Sequence, residues 1–212
     1  MKAGIDKILK RTQAEYLDTL LPPRDALLAR MEEYAAEHDH PIADAEVAQL
    51  ERLMVRTLRP KRIIEVGTNI GYSVIVMGRE CSPEAVIETI ELDTDILGVA
   101  KKFVAEAQLP CRVKFHQGRA LEVLTTLGGA DFVFIDCVKT EYEQYLDLLL
   151  PKMSAGAMIF CDNLLWGGKV ADVVHDPSTD ALRAFNHRIM TDPRLDSIVL
   201  PLGDGVGISI VK

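Results

Sequence analysis

The chain has 212 residues, of which 48% are hydrophobic, and a formal net charge of −8 at pH 7. Its apolar content excludes a disordered chain, and its length suits one domain with a continuous core. No apolar run reaches the roughly 18–20 residues of a membrane span, and the N-terminus lacks the apolar segment of a signal peptide. The negative charge argues against a general polyanion-binding surface. These features predict a cytoplasmic enzyme that does not enter a membrane.

The first sixty residues have the pattern of three helices. Apolar residues recur at helical spacing in Ile5–Leu21 and again in Arg24–His38. Asp44 can cap a third helix, which runs to Leu58. Residues 1–60 are therefore predicted to form a helical cap.

From Lys61 onward, short β-rich runs alternate with helical stretches. This alternation is typical of a doubly wound, mostly parallel sheet with helices on both faces. The predicted strands are Arg62–Val66, Val86–Leu92, Arg112–His116, Asp131–Asp136 and Ala157–Cys161, and the predicted helices are Tyr72–Cys81, Asp95–Gln108, Ala120–Leu127 and Tyr142–Leu150.

The C-terminal part has a different pattern. Ser197–Leu202 and Val206–Val211 read as strands, and the Gly203-Asp204-Gly205 segment between them is a turn signal. Two strands joined so closely form an antiparallel hairpin. The sequence thus predicts an α/β fold with a seven-stranded sheet, in one domain (1–212) made of the helical cap and a cofactor-binding core at 61–212.

Two of the predicted parallel strands end in acidic residues. Asp136 follows Phe-Val-Phe-Ile, and Asp162-Asn163 follows Met-Ile-Phe-Cys, with one helix between the two strands. Neighbouring strands lie about 4.8 Å apart, so these side chains should meet at one sheet edge. Carboxylate and amide oxygens are ligands of hard divalent cations. We expect a site for one ion there, with Mg²⁺ as the first choice and Mn²⁺ or Ca²⁺ as alternatives.

A glycine-containing loop joins the first strand to its helix. Gly67 permits a close backbone approach to a ligand, and Gly71 permits tight packing where the helix begins. The spacing is G-x-x-x-G and not the dinucleotide fingerprint, so a simple tight turn is the alternative interpretation. Glu91 ends the second strand about twenty residues later, where an acid can bind both hydroxyls of a ribose. Glu88 and Asp93 compete for that role, and Glu88 either points to the other face or is an ordinary surface acid.

Together, the loop and the acid favour a nucleoside cofactor without a pyrophosphate, such as S-adenosylmethionine. The chain resembles class I S-adenosylmethionine-dependent methyltransferases, and among them the cation-dependent catechol and caffeoyl-CoA O-methyltransferases. The resemblance rests on E-V-G-T-N-I-G-Y-S (65–73), T-I-E-L-D (89–93), F-I-D-C-V-K-T-E-Y (134–142), C-D-N-L-L-W-G-G-K-V-A-D (161–172) and L-G-D-G (202–205).

The resemblance implies a role for each matching residue. Asp136, Asp162 and Asn163 would be the metal ligands, and Lys139 with Asp136 would be catalytic. Lys139 would stand beside the reacting hydroxyl as a general base, because like-charge repulsion from a dication disfavours its ammonium form. The cofactor-binding residues implied are Glu65, Gly67, Asn69, Gly71, Ser73, Glu91, Gly118, Ala120 and Asp136.

Some residues have alternative interpretations or depart from the family pattern. Lys139 could instead be a surface lysine paired with Glu141 or Glu143. Trp166 is either an aromatic wall of the acceptor site or a core indole. Val138 stands where many relatives have a second acid, and Ala48-Gln49 where many have Gly-Gln. The four cysteines have no metal-binding spacing and are expected to be reduced thiols.

Several functions remain open at this stage. The first is methyl transfer to a hydroxyl of a catechol-like small molecule, by a homodimer that contacts itself through the N-terminal helices. The second is O-methylation of 5-hydroxyuridine in tRNA, which the N-terminal segments resemble but the net charge disfavours. A nucleoside-binding module and an NAD-dependent dehydrogenase are further alternatives. The dehydrogenase function is disfavoured because this chain lacks the second glycine of the dinucleotide-binding loop. It also leaves Asp162-Asn163 without a role.

Overall fold

A computed structural model describes residues 10–212, and its centre is one seven-stranded mixed sheet with the order β3-β2-β1-β4-β5-β7-β6. Strands β1 to β5 are parallel to one another, whereas β7 is antiparallel to both β5 and β6. The strands are β1 Arg62–Val66, β2 Val86–Glu91, β3 Arg112–Gln117, β4 Phe132–Ile135, β5 Met158–Cys161, β6 Leu195–Leu200 and β7 Val206–Val211. The predicted α/β sheet with a C-terminal antiparallel hairpin is confirmed.

Eight α-helices surround the sheet in the described part of the chain. They are α1 Arg11–Leu20, α2 Ala26–His38, α3 Ala45–Leu58, α4 Tyr72–Gly78, α5 Thr94–Ala107, α6 Ala120–Thr126, α7 Tyr142–Leu149 and α8 Pro177–Thr191. Short 3₁₀ segments cover Lys139–Glu141, Leu150–Lys152 and Trp166–Ala171. None of the helices within residues 10–212 has the length and apolar character needed to cross a membrane.

Two apolar layers cover the faces of the sheet. Ile63 and Phe134 point to the layer built with α2 to α5, and Ile64 and Ile135 point to the layer built with α6 to α8. Successive residues of a strand face opposite sides, so a strand covered on both faces is apolar throughout. This explains why β4 and β5 are unbroken apolar runs that end abruptly in polar residues.

The N-terminal helices match the prediction with shifted limits. Helix α1 begins at Arg11, and residues 5–9 of the predicted first helix lie outside the described residues. Helix α2 starts at Ala26 because the Asp25 side chain accepts hydrogen bonds from two of its first backbone amides. Asp44 stands at the N-cap position of α3, but its side chain makes no capping hydrogen bond. That part of the prediction is wrong.

The largest differences lie near the C-terminus. Helix α8 has no counterpart among the predicted elements, although Asp176 caps it and Leu182, Phe185 and Ile189 are buried at helical spacing. Strand β6 is shifted two residues towards the N-terminus, because its pairing with β7 ends at Leu200 and the chain then turns.

Candidate active site

The loop after β1 is shaped by close contact with β4. Gly67 has φ +104°, and a Cβ there would lie 2.1 Å from the Asp136 carbonyl oxygen. No side chain fits that space, and the φ value favours glycine. Gly71 has φ +85° at the start of α4, and its Cβ would lie 3.3 Å from the Cβ of Ala100 in α5. The first glycine therefore lets two strand ends approach, and the second lets two helices pack.

Glu91 ends β2, and its carboxylate is held by backbone amides. Oε1 accepts from Leu92 N at 2.9 Å and Asp93 N at 3.0 Å, and Oε2 accepts from Asn69 N at 2.9 Å. The Gly118 amide donates to the Glu91 carbonyl at 2.9 Å, which brings the end of β3 alongside. A carboxylate has about four lone-pair sites, so Glu91 retains capacity for a ligand hydroxyl.

Glu88 has a separate, structural environment. It is buried on the other face of β2 and pairs with Arg62 at 3.1 Å, His116 Nε2 at 3.0 Å and Lys114 at 3.3 Å. Burial, the largest effect, acts to raise its pKa, but the hydrogen bonds from Lys114 and His116 and the charges of Arg62 and Lys114 lower it below its ordinary value. Glu88 therefore points away from Glu91, as strand alternation predicts, but it is not an ordinary surface acid.

Glu65 is a fully buried acid on β1. Its carboxyl group accepts hydrogen bonds from the hydroxyls of Ser73 and Thr89. Burial raises its pKa to about 8; these hydrogen bonds act to lower it, and the negative charges of Asp136 and Glu91 act to raise it. Near neutral pH the group is poised between acid and carboxylate, so a nearby positive charge would favour its ionised form.

The polar strand ends meet at the edge between β4 and β5. Ile135 pairs with Cys161, and the Asp162 amide donates to the Ile135 carbonyl at 3.1 Å. Asp136, Asp162 and Asn163 therefore follow directly from the paired ends of adjacent parallel strands. Asn163 has φ +63°, a conformation that asparagine tolerates better than most residues.

Lys139 lies among these oxygens. Its Nζ donates to Asp136 Oδ1 and to Asn163 Oδ1, both at 2.6 Å, and to the Tyr142 hydroxyl at 2.9 Å. The side chain is only 8% exposed. Two of the three expected metal ligands thus converge on one positive charge.

The alternative placement of Lys139 at the surface is wrong. Lys139 is buried, and its ion pair is with Asp136. Glu141 instead accepts a hydrogen bond from the Tyr145 hydroxyl at 2.6 Å and lies 3.4 Å from Arg119.

Asp162 is the most deeply buried of the three expected ligands. Burial raises its pKa to about 7, and the charge of Asp136 adds to this, whereas the Asn163 amide and the Lys139 ammonium oppose it. Residues 10–212 contain no cluster of three His, Cys, Asp or Glu side chains able to hold a metal. The expected set has two acids and one amide, and all three supply the oxygen donors that a hard divalent cation takes. The oxygen donors therefore suit a cation, and two of them already bind a positive group, the Lys139 ammonium.

A cavity of about 520 Å³ opens at this edge of the sheet. Its walls include eight residues singled out from the sequence: Gly67, Asn69, Ser73, Asp136, Lys139, Asp162, Asn163 and Trp166. Five other expected cofactor residues are not in these walls: Glu65, Gly71, Glu91, Gly118 and Ala120. Glu65 and Glu91 nevertheless touch wall residues through hydrogen bonds to Ser73 and Asn69.

Eight further residues line the cavity: Cys137 flanks the expected ligand Asp136 in the sequence, and the other seven were not expected as wall residues. The eight are Pro41, Ile42, Ala43, Asp44, Thr68, Tyr72, Phe134 and Cys137. The first four precede α3 and belong to the helical cap. The Asn69 side-chain amide donates to the Pro41 carbonyl, which joins this segment to the loop after β1. No short motif marks the segment, because its position depends on how the cap packs on the sheet.

Glu51 is an unexpected acid near the same groups. It lies on the inner face of α3, is fully buried, and neither carboxyl oxygen has a hydrogen-bond partner. Burial raises its pKa well above the usual range, and the negative charges of Glu65, Asp162 and Asp136 add to this effect.

Other polar, aromatic and substituted positions lie in the cavity wall, in a second cavity or at the surface. Trp166 is a half-buried wall residue, and its indole nitrogen has no hydrogen-bond partner. His175 is exposed beside Asp180. Ala48 and Gln49 line a separate cavity of about 130 Å³. Val138 is 49% exposed.

Known proteins are similar to this chain in sequence and fold along almost its whole length. Residues 24–212 match the model of the O-methyltransferase family. Tricin synthase 1 of Oryza sativa subsp. japonica is 30% identical, covering 96% of this chain and 90% of the relative. Catechol O-methyltransferase of Niastella koreensis is also 30% identical, with 93% and 95% covered. A solved structure, the O-methyltransferase TomG of Streptomyces achromogenes in complex with S-adenosylmethionine, has a TM-score of 0.86 at 28% identity, with 95% and 96% covered.

The fold and the family match define the class of the molecule as a methyltransferase. The chain belongs to the O-methyltransferase family. The resemblance inferred from its motifs is confirmed at this level.

Proposed function

We propose that the chain transfers the methyl group of S-adenosylmethionine to a hydroxyl of a catechol-like or other vicinal-hydroxyl small molecule, with the help of a divalent cation. One observation supports this above all: the Lys139 ammonium lies 2.6 Å from oxygens of both Asp136 and Asn163, in the wall of a cavity large enough for small molecules. A base and a cation-binding oxygen set therefore stand side by side in a member of the O-methyltransferase family.

The cofactor is assigned to the loop after β1 and the ends of β2 and β3. S-adenosylmethionine supplies the methyl group. We assign Gly67, Asn69 and Ser73 to its methionine part, Glu91 to the ribose, and Gly118 and Ala120 to the adenine. Glu65, Gly71 and Asp136 are assigned to the same pocket. The free lone pairs of Glu91 and the poised carboxyl of Glu65 support this assignment. TomG, a structural neighbour, was solved with S-adenosylmethionine bound.

The cation is assigned to Asp136, Asp162 and Asn163. When bound, Mg²⁺, or Mn²⁺ or Ca²⁺ in its place, supplies Lewis-acid stabilisation of a hydroxyl oxygen. The two carboxylates and the amide hold and partly neutralise it. In this assignment Asp136 is shared between the catalytic, cofactor and metal sets.

Lys139 and the cavity walls do the remaining work. In its neutral amine form, Lys139 would take the proton of the acceptor hydroxyl at Nζ. Trp166 provides an aromatic wall for the acceptor. Residues 41–44, before α3, form one wall of the cavity and orient the molecules that enter it. Holding two reactants in the correct geometry lowers the activation barrier of a transfer between them.

The acceptor is proposed from chemistry and from relatives. Two adjacent hydroxyls are the groups that a cation and a neighbouring base can bind together. One relative is named catechol O-methyltransferase and another tricin synthase, which supports a small aromatic acceptor. O-methylation of 5-hydroxyuridine in tRNA remains the alternative, and the charge of −8 disfavours it. We further propose one folding domain, a cytoplasmic location and a homodimer.

The first prediction concerns the metal. Catechol methylation by the purified chain should require added Mg²⁺ and stop in excess EDTA. Asp162→Ala should abolish turnover while S-adenosylhomocysteine still binds by calorimetry, because the aspartate is assigned to the cation only. Asp196→Ala, which changes an exposed acid of β6, should keep full activity.

Two outcomes would contradict parts of this proposal. Full turnover in EDTA excludes the divalent cation. Transfer of the methyl group to 5-hydroxyuridine-containing tRNA, but to no catechol or hydroxycinnamoyl thioester, replaces the small-molecule acceptor with RNA.

A further inference from the structure

Tyr142 is a buried hydroxyl at the centre of the site that the proposed chemistry does not use. It is the first residue of α7, has no exposed surface, and packs its ring against Phe185 at 5.3 Å between centroids. Its hydroxyl lies 2.9 Å from Lys139 Nζ and 3.2 Å from the Asp162 carbonyl oxygen. A buried hydroxyl needs partners, and these are groups of the proposed site.

The directions of these hydrogen bonds follow from the groups involved. A tyrosine phenol carries its proton at neutral pH, so its hydroxyl can both donate and accept a hydrogen bond. An ammonium can only donate, and a carbonyl oxygen can only accept. Lys139 therefore donates to the Tyr142 oxygen, and the Tyr142 hydroxyl donates to the Asp162 carbonyl.

Local geometry explains why these two side chains meet. Lys139–Glu141 is a 3₁₀ turn that leads directly into α7. Side chains three residues apart eclipse in a 3₁₀ helix, so Lys139 and Tyr142 lie one above the other. The Nζ atom is 5.2 Å from the centre of the Tyr142 ring.

The three partners of Lys139 differ in what ligands do to them. An ammonium has three donors, and here they go to Asp136, Asn163 and Tyr142. The first two partners are proposed metal ligands, so a bound cation would compete with Lys139 for their oxygens. Only the Tyr142 hydroxyl is outside that set. It would be the protein contact left to hold a long, flexible lysine side chain in place.

We propose that Tyr142 is the positioning residue of Lys139, tying its Nζ to the backbone of the metal-ligand segment so that the amine faces the acceptor hydroxyl. This inference rests on the proposed function, because it assumes that Lys139 takes the hydroxyl proton. Tyr142 is not among the residues that line the cavity, so it would act through Lys139.

The test is Tyr142→Phe, which keeps the ring and removes the hydroxyl. With Mg²⁺ and catechol, kcat should fall about tenfold or more, since a positioned proton acceptor contributes about 10² to 10⁴ in rate. The KM for S-adenosylmethionine should stay unchanged. Tyr145→Phe is the matched control: Tyr145 is equally buried on the same helix, and its hydroxyl bonds to Glu141 instead. It should keep wild-type kcat.

Two readouts separate positioning from general damage. 4-Nitrocatechol ionises without help, so the deficit of Tyr142→Phe should nearly disappear with this acceptor. In a Lys139→Met background, Tyr142→Phe should lower kcat no further, because its effect passes through the lysine. The inference is overturned by an equal deficit with both acceptors, by an additive loss in the double variant, or by no loss at all.

Failure of the underlying function would look different. Wild-type turnover by Lys139→Met would remove the base role itself. A strong loss in Lys139→Met together with full activity in Tyr142→Phe would remove only the role of Tyr142.

Discussion

At the scale of single residues, the cavity edge gathers more carboxyl groups than its cationic side chains can neutralise. Glu51, Glu65 and Asp162 are all buried, and each has a raised pKa. A buried carboxylate costs free energy unless it is paired, so these groups take up protons when no cation is present. Lys139 alone offers a positive charge within hydrogen-bonding distance of this edge in the described chain. The surplus of negative charge suits a site whose proposed ligands are a sulfonium cofactor and a divalent ion.

Glu51 gives the residue-scale prediction. The pKa of Glu51 is raised in the folded chain. Below the unfolded value of about 4.3 the group is protonated in both states and does not reduce stability. As the pH rises above that value, the unfolded chain loses this proton first and the folded state becomes less stable. Glu51→Gln keeps the shape and cannot ionise. The stability of the variant relative to the wild type should be higher at pH 8 than at pH 5.

Urea unfolding in EDTA at the two pH values measures this gap. Glu37→Gln, an exposed acid on α2, should show no such pH-dependent gain. A gap of equal size at pH 5 and pH 8 would mean that Glu51 does not titrate as its burial requires.

At the scale of elements, the sequence signals differ in what they can specify. Strands β4 and β5 are apolar runs bounded by polar residues, and β3 alternates polar and apolar residues. Strand β1 is predicted with its observed limits, and the other four parallel strands within one residue at each end. Helix α8 carries a cap and apolar periodicity, so the sequence contains its signal too. The wall segment before α3 and the position of Glu51 are different. They depend on how the cap packs on the sheet, and no local sequence pattern encodes that packing.

Helix α1 carries the element-scale prediction. None of its residues is buried, and it exposes Tyr16 (63%), Leu17 (47%) and Leu20 (60%). Clustered exposed apolar side chains on one helix favour a contact with a partner surface, in line with the proposed homodimer. Light scattering should give twice the chain mass for the wild type, and Leu17→Asp with Leu20→Asp should shift the population to the monomer.

The control for this experiment is Val173→Asp. Val173 is 95% exposed, the highest value among the large apolar residues of 10–212, and it lies outside α1. It should leave the dimer intact. A wild-type chain that is monomeric at micromolar concentration, or a dimer insensitive to the double change in α1, would exclude α1 as the interface.

At the scale of the whole molecule, the site lies where the order of the sheet changes direction. Strand β1 is followed outward by β2 and β3 on one side and by β4 and β5 on the other. Ligands of open α/β sheets bind outside the carboxyl ends of the strands at this switch point. The loop after β1 and the ends of β2, β4 and β5 all contribute there. The fold thus brings residues that are far apart in the sequence to one cavity, and the cap supplies its remaining wall.

This arrangement predicts how pH and metal act on global stability. In EDTA, the raised pKa values of Glu65 (about 8) and Asp162 (about 7) mean that these two groups bind more protons in the folded chain than in the unfolded chain between about pH 5 and pH 8. Stability should therefore fall as the pH rises through that window.

Mg²⁺ binds deprotonated ligands, so it should stabilise the chain more at pH 8 than at pH 5.5. Asp162→Asn, which cannot ionise, should flatten the pH dependence in EDTA and lose most of the Mg²⁺ effect. Urea unfolding at both pH values, with and without Mg²⁺, measures all four combinations. A chain that gains stability with rising pH in EDTA, or responds equally to Mg²⁺ at both pH values, would show that these buried acids are not the proton and cation sites inferred from their surroundings.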